Sequence, residues 1–289
     1  MSGLCALLNF DGRPVDRAEL EKMTARLAHR GPDAGGIWPP SGGGPADPGS
    51  PVGLGQRLLW TTPESLHERL PLASADGQLA ITADARIDNR DELFGLLGLA
   101  DHSLADSALI LAAYAKWGER CPEHLLGDFA FAIWDAGKQA LFCARDHLGN
   151  RPLFYHQAPG FAAIASEIKA LLVLPQVPRR LNERRIAEYL ATLHDDTAIT
   201  FYQDIHRLPP AHSLTLSRAG AKLERYWALD PARALPPASD EAYADGFREL
   251  FTEAVRCRLR SAYPVGAMLS GGLDSSSIVC VARQLGRQA

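Results

Sequence analysis

Leu269-Ser270-Gly271-Gly272-Leu273-Asp274-Ser275-Ser276 reads LSGGLDSS. The apolar run at residues 265–269 predicts a buried strand, and the spacing from about Asp274 onward predicts a helix. Strand, glycine turn and helix in that order open an α/β domain. Two adjacent glycines let backbone N–H groups approach an anion closely. Ser270 and Ser275 add hydroxyl donors, and the N-terminus of the following helix adds partial positive charge. The loop therefore suits pyrophosphate. No lysine follows the glycines, which separates it from the G-x-x-x-x-G-K-S/T loop. The plainer reading is a glycine turn with Asp274 as a helix cap.

Working back from that loop, Tyr243, Phe247, Leu250, Phe251, Ala254 and Val255 share one face of a strongly amphipathic helix. The proline-rich residues 231–237 precede it. Nearer the start, Asp16 and Glu19 predict a helix beginning, with Leu20, Met23 and Leu27 on its buried face and a stop at His29-Arg30-Gly31-Pro32. Residues 39–51, PPSGGGPADPGSP, cannot pack a core and are expected to form a mobile, lid-like loop. Alternation at Leu79, Ile81 and Ala83, and again at Phe129, Phe131 and Ile133, predicts half-buried strands; residues 141–144 and 161–165 predict two more. Between them, residues 104–117 have helical spacing and end at Gly118, and a short helix is expected over 167–173. Grouped strands interrupted by helices argue for packed layers. The expected division is 1–178 as a first domain, 179–238 as a linker and inter-domain region, and 239–289 as the beginning of a second domain. A parallel sheet of one strand cannot bury itself. The chain is therefore expected to be either a fragment of a longer protein or one whose second domain does not form.

The chain has 289 residues, is 46% hydrophobic and 22% charged, and carries a net charge of −4. Those values suit a globular protein and give no electrostatic footprint for nucleic acid. No apolar run approaches the roughly 18 residues a membrane span needs, and the start is not a signal peptide. A cytoplasmic protein, with no membrane or nucleic-acid partner, is expected. Cys5, Cys121, Cys143, Cys257 and Cys280 are odd in number, widely spaced and free of any CxxC pair. That argues against a disulfide framework or a zinc site.

With these segments in view, SGGLDS resembles the pyrophosphate loop of the PP-loop ATP pyrophosphatases, which split ATP into AMP and pyrophosphate while adenylating a substrate. Nearly the whole chain is similar to the asparagine synthetase family. The matching blocks, in the family's order, are HRGPDAGG (29–36), GLGQRL (53–58), LLGDFAFAIWD (125–135), LFCARDHLGNRPLFY (141–155), ASEIKALL (165–172), LPPAHSLTL (208–216), RYW (225–227) and LSGGLDSS (269–276). The resemblance implies an α+β amino-terminal domain, a class II glutamine amidotransferase of the N-terminal-nucleophile αββα sandwich type. An α/β PP-loop domain is implied after it. ATP and Mg²⁺ are the implied cofactors, the ion neutralising the phosphates. Leu269, Ser270, Gly271, Gly272, Leu273, Asp274 and Ser275 are the implied ATP-binding residues, and no protein metal site is implied.

The family's nucleophile is a cysteine at position 2, with its own α-amine as base. Here that position is Ser2. Cys5 falls on a strand position and would serve only after cleavage behind Leu4. The family's oxyanion segment N-G-E-I-Y-N matches Asp84-Ala85-Arg86-Ile87-Asp88-Asn89. Asp84 thus puts a carboxylate where a donor amide is needed. Losing even one neutral donor there costs about 100- to 1,000-fold. Arg86 reverses the charge of a Glu that would hold the substrate's ammonium group. Two implied pocket residues remain, Arg57 for the glutamine carboxylate and Asp106 for its amino group. Arg57 reads equally as an ion-pair partner, and Asp106 as a helix cap.

A disabled glutaminase before a live PP-loop is similar to β-lactam synthetases and lasso-peptide cyclases, and residues 60–72 and 84–93 look like the cyclase branch. That resemblance implies an ATP-dependent carbon–nitrogen ligase that adenylates a peptide's Asp or Glu carboxylate for attack by the peptide's own amino terminus, closing a macrolactam. Its partners would be a peptide or small carboxylate substrate and a precursor-peptide protease or leader-binding protein. An asparagine synthetase using ammonia or glutamine, and a non-enzymatic scaffold or partner-binding module, stay open.

Overall fold

The computed structural model describes residues 1–39, 49–193, 196–234 and 236–286. Most of the expected lid, residues 40–48, lies outside them. The chain forms two compact units: Met1–Leu59 with His67–Ala228, and Trp60–Leu66 with Leu229–Ala289.

The first unit is built on β1 (Gly3–Asn9), an almost wholly apolar strand. Such a run suits a strand buried on both faces. Leu4, Ala6 and Leu8 face inward between two sheets, where they join Leu54, Ala130, Ala132, Leu141 and Leu214. Cys5 and Leu7 face the other way, onto α1 (Arg17–Arg26), against Leu20, Met23 and Leu27. As expected, Asp16 caps α1, accepting from the Ala18 N–H at 2.8 Å. β2 (Ala34–Trp38) and β3 (Val52–Leu58) pair antiparallel beside β1.

The second sheet begins with the short β4 (Leu72–Ala73) and the long β5 (Leu79–Ile87). Helices α2 (Arg90–Leu97) and α3 (Asp106–Trp117) follow, and then β6 (Gly127–Asp135) and β7 (Ala140–Arg145). Tyr114 of α3 lies 5.3 Å from the Phe142 ring of β7. β8 (Phe154–Ala158) and β9 (Phe161–Ala165) return to the first sheet; α4 (Ile168–Leu171) is shorter than the expected helix, and α5 (Glu183–Leu190) follows it. With β10 (His206–Arg207), β11 (His212–Ser217) and β12 (Gly220–Arg225), the sheets are complete. Their orders are β10-β8-β9-β1-β3-β2 and β12-β11-β7-β6-β5-β4. Every pairing is antiparallel, and the result is the expected αββα sandwich.

Two expectations are corrected. The region read as a linker, 179–238, contains α5 and three strands, and the first unit runs to Ala228 rather than 178. β11 fills its place against β7 with Leu214 and Leu216, whose burial holds this segment in the sandwich. The second correction lies in the other unit. Helix α6 (Asp240–Arg258) and helix α7 (Leu273–Gly286) form as expected, but residues 265–269 make no strand. Val265, Met268 and Leu269 are exposed there. A strand needs a neighbouring ladder to satisfy its backbone groups, and among the described residues none pairs with this run.

Candidate functional site

Ser2 sits just before β1 and is buried. Its N–H donates to Asp84 Oδ1 at 3.1 Å, its hydroxyl oxygen accepts from the Leu59 N–H at 3.1 Å, and its carbonyl accepts from Arg30 Nε at 2.8 Å. Asp84, on β5, is buried too. Arg30 Nη2 lies 3.3 Å from its Oδ2 and Arg151 Nη1 3.6 Å from its Oδ1. Burial pushes the Asp84 carboxyl above its ordinary range, and the Arg151 and Arg30 guanidiniums oppose that. Arg30 also reaches Glu167 at 3.1 Å, and Glu167 takes His29 at 2.8 Å and Lys169 at 3.0 Å. Arg30 is held in place by the chain before β2: a Cβ on Gly31 would stand 2.3 Å from the Arg57 carbonyl carbon, so only glycine lets this turn lie against β3.

Around Ser2, then, stands a closed ionic network. A carboxylate accepts hydrogen bonds and donates none, so Asp84 cannot supply the amide N–H that an oxyanion needs. The sequence pointed to Asp84 but not to its partners. Arg30 and Arg151 lie inside the blocks HRGPDAGG and GNRPLFY, and only the fold brings them together.

The remaining pocket residues separate. Arg86 Nε lies 3.4 Å from Asp88 Oδ1. Asp106 accepts from the Ile87 N–H at 3.0 Å and pairs with Arg90, so the carboxylate expected to meet an amino group is bound to a guanidinium. The capping role considered for Asp106 is corrected: Ala105 is the N-cap, and Asp106 is the first helical residue. There its charge still suits the positive end of the helix dipole. Arg57 Nε donates to the Thr24 carbonyl at 3.4 Å and holds no ion pair among the described residues. With Arg17, Glu21, Thr24, Gly35, Gly36 and Ile37 it lines a hollow of about 380 Å³. Cys5 is buried inside β1, 3.3 Å from Thr24 Oγ1; burial pushes its thiol up to about 12 against that hydrogen bond. Such a thiol is not a nucleophile at neutral pH.

The glycine loop of the second unit is exposed. Gly271 takes φ +83°, a left-handed conformation that favours glycine. Ser270 Oγ and Ser275 Oγ stand 2.9 Å apart, and the Ser275 hydroxyl donates to the Gly272 carbonyl at 3.2 Å. Leu269 and Leu273 are exposed, and Asp274 sits in the first turn of α7. The two hydroxyls and the helix start converge, which fits an anion. Among the described residues, no group of three His, Cys, Asp or Glu side chains is arranged to hold a metal ion, and no helix is long and apolar enough to cross a membrane.

Comparisons with known proteins agree with this division. The glutamine amidotransferase domain family matches residues 1–227, and the asparagine synthase family matches residues 246–289. In fold, residues of the sandwich resemble the glutamine phosphoribosylpyrophosphate amidotransferase of B. subtilis, with TM-score 0.54 and 16% identity over 78% of this chain and 49% of that one. The class is thus an amidotransferase-type sandwich followed by synthase sequence. A glutamine-hydrolysing asparagine synthetase 3 of Bacillus subtilis is 31% identical over 288 residues, spanning 98% of this chain and 45% of the relative. Amidase chyE of Penicillium rubens is 32% identical over 93% of this chain and 39% of its own length. A putative asparagine synthetase of Methanocaldococcus jannaschii is 28% identical over 98% of this chain and 57% of the relative. The chain belongs to the glutamine amidotransferase domain family over residues 1–227, is similar to asparagine synthetases along nearly its whole length, and spans about half the length of these relatives.

Proposed function

We propose that this chain belongs to an ATP-dependent amide-forming ligase that does not draw its amine from glutamine. The observation that carries the reading is the buried Asp84, which takes the place of an oxyanion donor and is neutralised by Arg30 and Arg151 beside Ser2. A tetrahedral intermediate at Ser2 would meet a carboxylate instead of a donor, and the amino-group residue Asp106 is already bound to Arg90. Phosphate-binding geometry remains open at Ser270, Gly271, Gly272 and Ser275. When bound there, ATP with Mg²⁺ would supply adenylation of a carboxylate; the loop's part is to orient the phosphates through its N–H groups and hydroxyls. The amine then comes from the substrate or from solution.

The finer reading is macrolactam closure on a peptide, as in lasso-peptide cyclases, supported by residues 60–72 and 84–93 together with the filled pocket. Holding amine and acyl-adenylate in one molecule makes the closing step effectively unimolecular. The relatives' names favour the second reading, an asparagine synthetase acting on aspartate, here with free ammonia. ATP–pyrophosphate exchange by the protein as its own gene encodes it separates the two. Exchange that depends on an Asp- or Glu-containing peptide supports the cyclase; exchange that depends on aspartate supports the synthetase. No exchange with either contradicts the ligase reading.

A further inference from the structure

On the outer face of the first sheet, α1 and the residues that follow α4 enclose a cleft of about 510 Å³, lined by Lys22, Ala25, Arg26, Val173 and Arg179. Its walls are set by packing: Leu171, Leu174 and Val177 are buried in one cluster with Leu20, Met23 and Leu27. Two hydrogen bonds then fix the loop beside the helix. Gln176 Nε2 donates to Glu19 Oε1 at 3.1 Å, and Arg179 Nη2 donates to the Leu172 carbonyl at 2.9 Å. The volume falls in the range of small-molecule sites, roughly 300–1,000 Å³.

The charge of this cleft has one sign. Lys22, Arg26 and Arg179 are exposed, and among the described residues none of them holds an ion pair. The acids of α1 are turned to other uses: Asp16 caps the helix, Glu19 accepts from Gln176, and Glu21 pairs with Arg17 at 3.0 Å. Lys22 and Arg26 stand four residues apart, so like charges lie side by side in consecutive turns, an arrangement that works against a helix. Arg26 alone would suit the negative end of the helix dipole. That does not account for Lys22, or for Arg179, which arrives from another segment. A cleft walled by one sign of charge concentrates counter-ions, and this one does so in a chain whose net charge is −4. We propose that the cleft binds a small molecule carrying two or more carboxylate or phosphate groups, one group between Lys22 and Arg26 and another at Arg179. The site shares no residue with the network around Ser2 and does not depend on what reacts there.

The test is isothermal titration calorimetry of the whole chain at low ionic strength with two probes, citrate for carboxylates and tripolyphosphate for phosphates. Saturable binding of at least one is expected, weakening as salt is added. Arg26→Glu and Lys22→Glu each remove an attraction and add a repulsion, and each should lower that affinity by about tenfold or more. Arg218→Glu makes the same change of net charge in the exposed turn between β11 and β12 and should leave the affinity unchanged. The probe whose affinity the cleft variants lower names the ligand's chemistry. A native chain that binds neither probe overturns the site without any variant. A loss that Arg218→Glu reproduces, or binding that neither cleft variant lowers, overturns it too.

Discussion

The pocket at Ser2 and the loop at Ser270 are both built from polar groups, and they have opposite fates. In the pocket most charges meet another protein charge: Asp84 meets Arg30 and Arg151, Asp106 meets Arg90, and Arg86 meets Asp88, while Arg57 holds no ion pair among the described residues. In the loop, among the described residues, the Ser270 and Ser275 hydroxyls hydrogen-bond only each other and the Gly272 carbonyl, and Leu269 and Leu273 are exposed. A buried charge without a ligand must be paired from within. An exposed loop keeps its donors hydrated and available at little cost. The difference teaches that a pocket's residues alone do not make it a site; what matters is whether their hydrogen-bonding capacity is still unspent.

The largest expected effect follows from breaking the pocket. Asp84→Ala leaves Arg151 buried without its carboxylate and Arg30 with Glu167 in place of two carboxylates, and should cost about 3 kcal/mol of stability, read as a fall in the denaturant midpoint. Ser270→Ala, in the exposed loop, should change stability by no more than about 0.5 kcal/mol while weakening pyrophosphate binding. Equal costs for the two would erase the contrast.

A smaller effect is expected at Glu68, whose carboxyl burial raises above its ordinary value near 4.5. A raised folded-state value means that the folded state holds the proton more tightly. The favourable contribution is full below the unfolded value and is lost as pH rises through the folded one. Glu68→Gln should therefore melt higher than the native protein at pH 8, and the gap should close below pH 4. A gap that is constant with pH contradicts the assignment. Smallest of all is a difference in labelling. Native alkylation should reach Cys257 and Cys280 and spare Cys5, Cys121 and Cys143, which are buried and whose thiols burial pushes up.

Much of the sandwich was legible because its elements are local patterns. Leu20, Met23 and Leu27 mark a helix face, and Phe129, Phe131 and Ile133 mark a strand, whatever lies around them. The ends of the sandwich were less legible. β11 and β12 follow a proline-rich approach, Pro209-Pro210, and their burial depends on an open edge at β7 that no local signal announces. The run at 265–269 failed for the converse reason: it has the composition of a strand, but a strand is made by its neighbours. At the site, Asp84 and Arg86 stood out because the segment that holds them resembles the family's N-G-E-I-Y-N and they change the charge of its Asn and Glu. Arg30, Arg151 and Arg90 did not, since arginines at 30, 90 and 151 become neighbours of the two carboxylates only when β5, α3 and the turns around them are assembled.

The measurement that tests the central claim most directly is ammonia release from glutamine by the native chain and by Ser2→Cys. We expect none above background from either, because a thiol at position 2 would still face Asp84 and its two arginines. Clear turnover by the native chain, or by Ser2→Cys alone, would contradict the filled-pocket account and make a glutamine-dependent asparagine synthetase the leading reading.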